Sequence, residues 1–199
     1  MIWFEPPDQE FSFYYLTPNV FNNENFDNME KYVSDNIEQL SPASVGNADD
    51  LSLDHEYRRS NIMFFKDNQE LPDIYSSVVN TVLSVNNIHY KYNLNYIEPL
   101  QYSVYESNDQ GFYDIHCDNV YARNSSGFMR KISFSILLND PEEFEGGDLM
   151  FHTTTEPFKV SLKKSDMILF PSFVPHSVSP VTKGVRKTLV GWVCGPNFT

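Results

Sequence analysis

From about residue 95 onward the chain is a succession of short strands punctuated by turns, and this is what most narrows the folds open to it. Leu100-Gln-Tyr-Ser-Val-Tyr105 and Lys131-Ile-Ser-Phe-Ser-Ile-Leu-Leu138 alternate between residue types as half-buried strands do. Leu149-Met-Phe-His152, Phe158-Lys-Val-Ser-Leu162, Met167-Ile-Leu-Phe170 and Thr188-Leu-Val-Gly-Trp-Val193 follow. Asn139-Asp140-Pro141, Gly146-Gly147, Lys164-Ser165-Asp166 and Lys183-Gly184 supply the turns between them. Strands this short and this closely spaced predict a sandwich or barrel, with a jelly roll among the closures that protect sheet edges.

The part before residue 95 reads differently. Phe26, Met29, Val33 and Ile37 recur at helical steps within a segment from about Phe21 to Ile37, with Asn and Asp at its start to cap it. A second segment, about Asp73 to Val85, carries Ile74, Val78, Val82 and Val85 on one stripe, and Pro72 sits where a first helical turn tolerates proline. Asn61-Ile62-Met63-Phe64-Phe65 between them reads as a strand. Helices first and strands after predict an α+β fold with the helices buttressing one sheet. No repeat or linker divides the 199 residues, so one domain is expected, residues 1–95 forming the helical buttress and first strands and residues 96–195 the strand-rich core.

A net charge of −13 sets the chain against phosphate backbones, and Arg58-Arg59 and Lys163-Lys164 are isolated basic pairs, so nucleic acid is not expected as a partner. No apolar run approaches the roughly 20 residues of a membrane helix. The first ten residues lack the basic-then-apolar pattern of a signal peptide. Two cysteines, Cys117 and Cys194, make no disulfide framework and suit a reduced, cytoplasmic compartment.

His116-Cys117-Asp118 is an H-x-D step. On an extended strand its outer side chains point to one face and can reach one ion, Cys117 pointing away. With five histidines and 27 acids in the chain, roughly 0.7 such matches arise by chance, so the step alone decides little. His176 adds to it, lying between prolines in Phe170-Pro-Ser-Phe-Val-Pro-His176 just after a strand. Two imidazoles and one carboxylate on one face of an ion leave positions open, the arrangement of non-haem iron(II) oxygenases, whereas a structural zinc site is closed and richer in Cys. Arg186, ten residues after His176, is either a cation that forks onto a carboxylate inside the same cavity or a surface residue in a basic patch with Lys183 and Lys187. H-E-x-x-H is absent, which weakens a zinc-hydrolase reading. His55, His89 and His152 receive no chemical role.

Gly111-Phe-Tyr113-Asp-Ile-His116-Cys-Asp118, then Leu138-Asn-Asp-Pro-Glu-Glu-Phe-Glu-Gly-Gly-Asp-Leu149, then the run from Phe170 through His176 to Arg186 together resemble the prolyl 4-hydroxylase branch of the 2-oxoglutarate/iron(II) oxygenases. The likeness is greatest to the compact bacterial and phage-encoded PKHD-type members and covers about residues 57–195, Arg58-Arg59-Ser60 included. It implies a double-stranded β-helix with N-terminal helices on its major sheet. It implies Fe(II), 2-oxoglutarate and O2, with ascorbate as a candidate addition, and a cytoplasmic location (the host's, for a phage-encoded member). By position it implies His116, Asp118 and His176 as iron ligands and Arg186 as partner of the distal carboxylate of 2-oxoglutarate. The same resemblance implies that Ser133 assists that pairing, that Tyr105 lines the co-substrate pocket, that Trp192 walls the iron site and that Tyr113 stands beside the target side chain. Core packing is the alternative for each of these four. Leu137 stands where some members carry a co-substrate-binding Tyr, leaving Ser135 and Thr188 as substitutes.

The expected reaction is hydroxylation of a prolyl residue in a protein or peptide, with succinate and CO2 as co-products and the Asn119–Gly127 loop over the substrate. Two alternatives stand beside it: the same chemistry on a free amino acid or small metabolite, and a non-catalytic β-helix serving as a binding module.

Overall fold

The computed structural model describes residues 12–47, 50–65, 70–119 and 127–197 of the chain. Its first part holds strands β1 (Tyr15–Thr17), β2 (Ser41–Pro42), β3 (Val45–Asn47), β4 (Asp50–Ser52), β5 (Arg58–Arg59) and β6 (Asn61–Phe65), with helices α1 (Asn23–Asp35) and α2 (Pro72–Val85). Then come β7 (Tyr96–Ile97), β8 (Leu100–Glu106), β9 (Phe112–His116), β10 (Phe128–Leu137), β11 (Phe144–Gly146) and β12 (Leu149–Phe151). The chain closes with β13 (Phe158–Lys159), β14 (Met167–Pro171), β15 (His176–Val178) and β16 (Val181–Pro196). Among the described residues no helix is long and apolar enough to cross a membrane.

Both helices start where their caps place them. The Asn22 side chain accepts the backbone N–H of Asn25, and the Asn25 side chain accepts that of Asn22, a reciprocal box that satisfies two otherwise orphan donors. Helix α1 stops at Asp35, two residues short of the expected end. Asn36 bonds back to the Tyr32 carbonyl and Ile37, 56% exposed, falls in a separate short turn. Pro72 opens α2, and Ile74, Val78, Val82 and Val85 form its buried stripe. A wide π turn, Asn86–Tyr90, follows and is closed by Lys91 in the left-handed region, a continuation the periodicity did not foretell.

Nine strands form the major sheet, with order β1-β14-β10-β16-β8-β6-β2 and with β7 and β11 also pairing with β16. The minor sheet runs β13-β12-β15-β9-β5. Every pairing is antiparallel, as in a double-stranded β-helix. Side chains alternate across the major sheet. Leu100, Tyr102, Val104, Ile132, Phe134, Ile136 and Leu189 pack with Met29, Ile74, Val78 and Val82 of the helices. On the other face Leu137, Ile168 and Phe170 meet Leu149, Phe151 and Val174 between the sheets. The helices therefore buttress the major sheet, and the site lies on its opposite face.

Two strand expectations need correction. The strand expected over Phe158-Lys-Val-Ser-Leu162 is shorter: only Phe158–Lys159 forms β13, and a last backbone bond from Val160 to the Leu149 carbonyl reaches the start of its three-residue partner β12. Lys183-Gly184 is no turn between strands. It lies within the 16-residue β16, where Gly184 takes φ +71° and bends a strand that pairs with β11 before the bend and with β8 and β10 after it. A side chain at Gly184 would collide with the Glu143 carbonyl, so the glycine serves close approach as well as the positive φ.

Phe134, fully buried between sheet and helices, tests how far that layer carries stability. Phe134→Ala is expected to lose about 3–5 kcal/mol in urea unfolding, the usual cost of a large core truncation; a loss under about 1 kcal/mol would contradict the described packing.

Candidate metal centre

His116 is the last residue of β9 and His176 the first of β15, and the two are paired across the minor sheet. Asp118 lies past the end of β9, held there by its backbone N–H donating to the Ser172 carbonyl at 2.9 Å. The H-x-D step thus straddles a strand end, and the loop before His176 fixes Asp118 in place of strand alternation. The His116 Nε2 is 3.7 Å from Asp118 Oδ1 and the His176 Nε2 is 3.6 Å from Asp118 Oδ2. All three ligand atoms lie within 4.8 Å of one another.

Both rings are set for coordination. His116 Nδ1 donates to the Asp114 carbonyl at 2.8 Å and His176 Nδ1 to the Val174 carbonyl at 2.9 Å, which turns both Nε2 lone pairs toward Asp118. Tyr113 stacks on His116 at 3.6 Å between ring centroids, and the Phe170 edge meets His176 at 4.7 Å. Burial, reinforced by His176 alongside, pushes the His116 pKa down to about 3, so the ring is neutral near pH 7. Burial alone would raise the Asp118 carboxyl, but His176, His116, Arg130 and the Ser133 hydroxyl outweigh it and hold the carboxyl below its usual range. Two imidazoles and one carboxylate fit a divalent ion with open positions. Cys117 takes no part, its thiol donating to the Phe173 carbonyl at 3.3 Å.

A cavity of about 660 Å³ opens from this cluster and is lined by Tyr105, Tyr113, Arg186, Thr188, Trp192 and the three clustered residues. Register explains the lining. Arg186 pairs with Tyr105 and Thr188 with Ser103 on one side of β16, while Trp192 pairs with Ser133 on the other. Arg186 is 3% exposed, and its guanidinium has no ion pair or hydrogen bond among the described residues. Its nearest recorded partner is the Tyr105 ring, 5.5 Å away. Burial lowers its pKa against the pull of Tyr105 and Asp148, and Asp148 is itself paired with Lys159 at 3.1 Å. The hydroxyl of Thr188 and the indole N–H of Trp192 are likewise buried without a partner. A buried cation is stable only when paired, so the cavity is built for an anion at the Arg186 end.

The sequence profile of the 2OG-Fe(II) oxygenase superfamily matches residues 100–194, the stretch that carries all three clustered residues and Arg186. Over that stretch, just under half of its length, the chain is similar to the 2OG-Fe(II) oxygenase superfamily. A PKHD-type hydroxylase of Synechococcus sp. (strain CC9311) is 36% identical over 93 residues, 47% of this chain and 41% of that protein. The chain thus matches less than half the length of this curated relative. In fold it is similar to a Pseudomonas putida prolyl-4-hydroxylase (TM-score 0.68, 20% identity, 91% of each chain). It is similar also to a Trichoplax adhaerens prolyl hydroxylase in complex with a hypoxia inducible factor peptide fragment (TM-score 0.70, 19% identity, covering 91% of this chain and 83% of that one). That match implies Fe(II), 2-oxoglutarate and O2, and the His116, Asp118 and His176 cluster is a possible iron site.

The oxygenase frame brings most of the expected residues together and reassigns one. Tyr105, Tyr113, Arg186 and Trp192 all line the cavity. Ser133 does not stand beside Arg186, because it is paired with Trp192, six residues along β16 and so roughly 20 Å away at strand rise. Its hydroxyl lies 2.6 Å from Asp118 Oδ2 and 2.9 Å from Ser172 Oγ. Thr188, two residues from Arg186 on β16, lines the same cavity. Residues 120–126 of the Asn119–Gly127 loop lie outside the described residues. His152 meets Ser177 at 2.8 Å, and His89 stacks on Tyr15 away from the site. Sequence reasoning missed Ser172 and the Glu98–Arg130 pair (2.6 and 2.8 Å), whose guanidinium lies 3.9 Å over Trp192. The signal for Ser172 was a polar residue amid the apolar Phe170–Val174 run; Glu98 and Arg130 are too far apart in sequence to have shown one.

Ser133→Ala removes the hydroxyl against the inner oxygen of Asp118. Anaerobic titration with Mn(II) or Fe(II) is expected to show affinity falling about 10- to 100-fold, the usual loss when a ligand's orienting partner is removed, with Ser133→Thr close to the wild type. Equal affinity in Ser133→Ala would deny the hydroxyl this role.

Proposed function

We propose that the chain is a 2-oxoglutarate-dependent hydroxylase in which His116, Asp118 and His176 hold Fe(II) and Arg186 takes the distal carboxylate of the co-substrate. The observation that carries this reading is the pairing, in one cavity, of a converged two-histidine, one-carboxylate cluster with a buried guanidinium that has no ion pair or hydrogen bond among the described residues. Bound iron, with 2-oxoglutarate and O2, supplies an oxidative decarboxylation that yields succinate and CO2 and places a hydroxyl on a substrate C–H bond.

The rest is done by the chain. Arg186 forks onto the carboxylate, Thr188 offers its unpartnered hydroxyl, and Tyr105 walls the pocket between them. Ser133 and the Ser172 loop keep Asp118 in place while the site changes occupants. Trp192, pinned under Arg130, excludes water from the iron side. The helices and both sheets act in this reading as one oxygenase domain, residues 1–95 buttressing the core.

The substrate we propose is a prolyl residue in a protein or peptide. A cavity of about 660 Å³ leaves room for a target side chain beside the co-substrate, since pockets of this size hold drug-sized ligands. Tyr113, stacked on His116, borders the space a target would enter. PKHD-type relatives and prolyl hydroxylase neighbours, one holding a peptide, support the same class.

Mass spectrometry of proline-containing peptides incubated with protein, Fe(II) and 2-oxoglutarate is expected to show a gain of one oxygen and an equal yield of succinate. His116→Ala and Arg186→Met are each expected to lose turnover by about 100-fold or more, as removal of a ligand or of the carboxylate's bidentate partner does. Turnover on free amino acids alone would replace the prolyl reading, and absence of iron-dependent succinate in every assay would leave a binding module.

A further inference from the structure

The Gly146-Gly147 turn has no part in the scheme above, yet Gly147 lies directly against Arg186. A β-carbon built on Gly147 would stand 2.7 Å from Arg186 Cδ and 2.9 Å from Val181 Cγ2, closer than real side chains approach. Neither wall can yield freely. Val181 is fully buried in the cluster with Tyr105 and Val178, and Arg186 is 3% exposed. The stem of Arg186 therefore lies in a slot that exists because residue 147 has no side chain.

The slot also has a direction. Gly147 lines a second cavity of about 330 Å³ that reaches Arg186 but none of the three clustered residues. The larger cavity touches Arg186 and those three but not Gly147. Arg186 and Leu149 line both spaces, and Gly147 belongs to the one without the three clustered residues.

We infer that Gly147 is a positioning residue that sets how far the Arg186 guanidinium stands from the metal site, and hence which length of 2-oxo dicarboxylate the cavity accepts. The inference rests on the reading of Arg186 as the partner of the distal carboxylate. A methyl group at 147 pushes the stem toward the metal and shortens the span available to the acid. The five-carbon 2-oxoglutarate then fits less well, and the shorter oxaloacetate loses less. Shortening Val181, the slot's other wall, acts the opposite way. It lets the stem settle deeper, which favours the longer 2-oxoadipate.

The test is calorimetric titration of the three acids into Mn(II)-loaded protein, which needs no turnover. Gly147→Ala is expected to weaken 2-oxoglutarate binding on the order of 10- to 100-fold, as misplacement of a bidentate partner by about an ångström does, while Mn(II) affinity stays unchanged and oxaloacetate gains relative to 2-oxoglutarate. Gly127→Ala is the control for backbone strain, because Gly127 also has a positive φ (+78°) but, beyond its chain neighbours, no described atom within 4 Å of its β-carbon; it is expected to bind all three acids as the wild type does. Val181→Ala, which adds no backbone strain, is expected to move the ranking toward 2-oxoadipate, and it decides the matter if Gly147→Ala does not fold. An unchanged ranking in the folded variants, or an equal loss in Gly127→Ala, overturns the inference. Arg186→Met binding 2-oxoglutarate as tightly as the wild type would instead overturn the underlying reading of Arg186, a separate outcome.

Discussion

The pairing of β16 with β8 on one side and β10 on the other is the constraint on which the rest of the molecule depends. One register sets Arg186 opposite Tyr105, and the other sets Trp192 opposite Ser133. Because strand side chains alternate, these two registers place Arg186, Thr188, Val190 and Trp192 on the cavity face and Leu189 and Val193 against the helices. A slip of one residue would exchange the two sets, burying Leu189 in the cavity and turning Arg186 into the apolar layer. Helices α1 and α2 oppose such a slip, since the apolar face they cover leaves no place for a guanidinium.

Charge is distributed over this frame with the same economy. The cavity holds a buried carboxylate at one end and a buried guanidinium at the other, and neither neutralises the other. Asp118 is stabilised by the Ser133 hydroxyl, the Ser172 carbonyl on its backbone N–H and the two imidazoles. Among the described residues Arg186 has no ion pair or hydrogen bond, and it lies near the Tyr105 ring and in the Gly147 slot. Unpaired burial of a cation costs several kcal/mol, a cost that the proposed dicarboxylate would offset on binding. The same cavity tolerates orphan donors on Thr188 and Trp192 for the same reason.

Much of this was legible in the chain. The stripe Ile74, Val78, Val82, Val85 appeared as a buried helix face, and the alternation of Leu100–Tyr105 and Lys131–Leu138 appeared as β8 and β10. His116, Asp118, His176 and Arg186 also stood out, the first three as a ligand set and the last as a cation in range. Harder to see were contacts made by residues distant in sequence. Ser133 meets Asp118 fifteen positions away and Ser172 thirty-nine away, so no local pattern could tell a hydroxyl that orients a ligand from one that touches a co-substrate. The bend at Gly184 read as a turn because a glycine after a lysine looks the same whether the chain reverses or only kinks.

What the sequence by itself determined is therefore what short-range periodicity can carry: which segments are helix or strand, which faces are apolar, and which residue types are available for chemistry. Only the tertiary structure decided how those faces were registered. Register turned Arg186 inward, set Ser133 against Asp118 in place of Arg186, and left Gly147 as the slot for an arginine stem. The physical reason is that alternation fixes a side chain's face only relative to its own strand. Its neighbours across the sheet and cavity follow from pairings between distant segments, such as Tyr102 with Leu189, 87 residues apart, and these are chosen by the packing of the whole core.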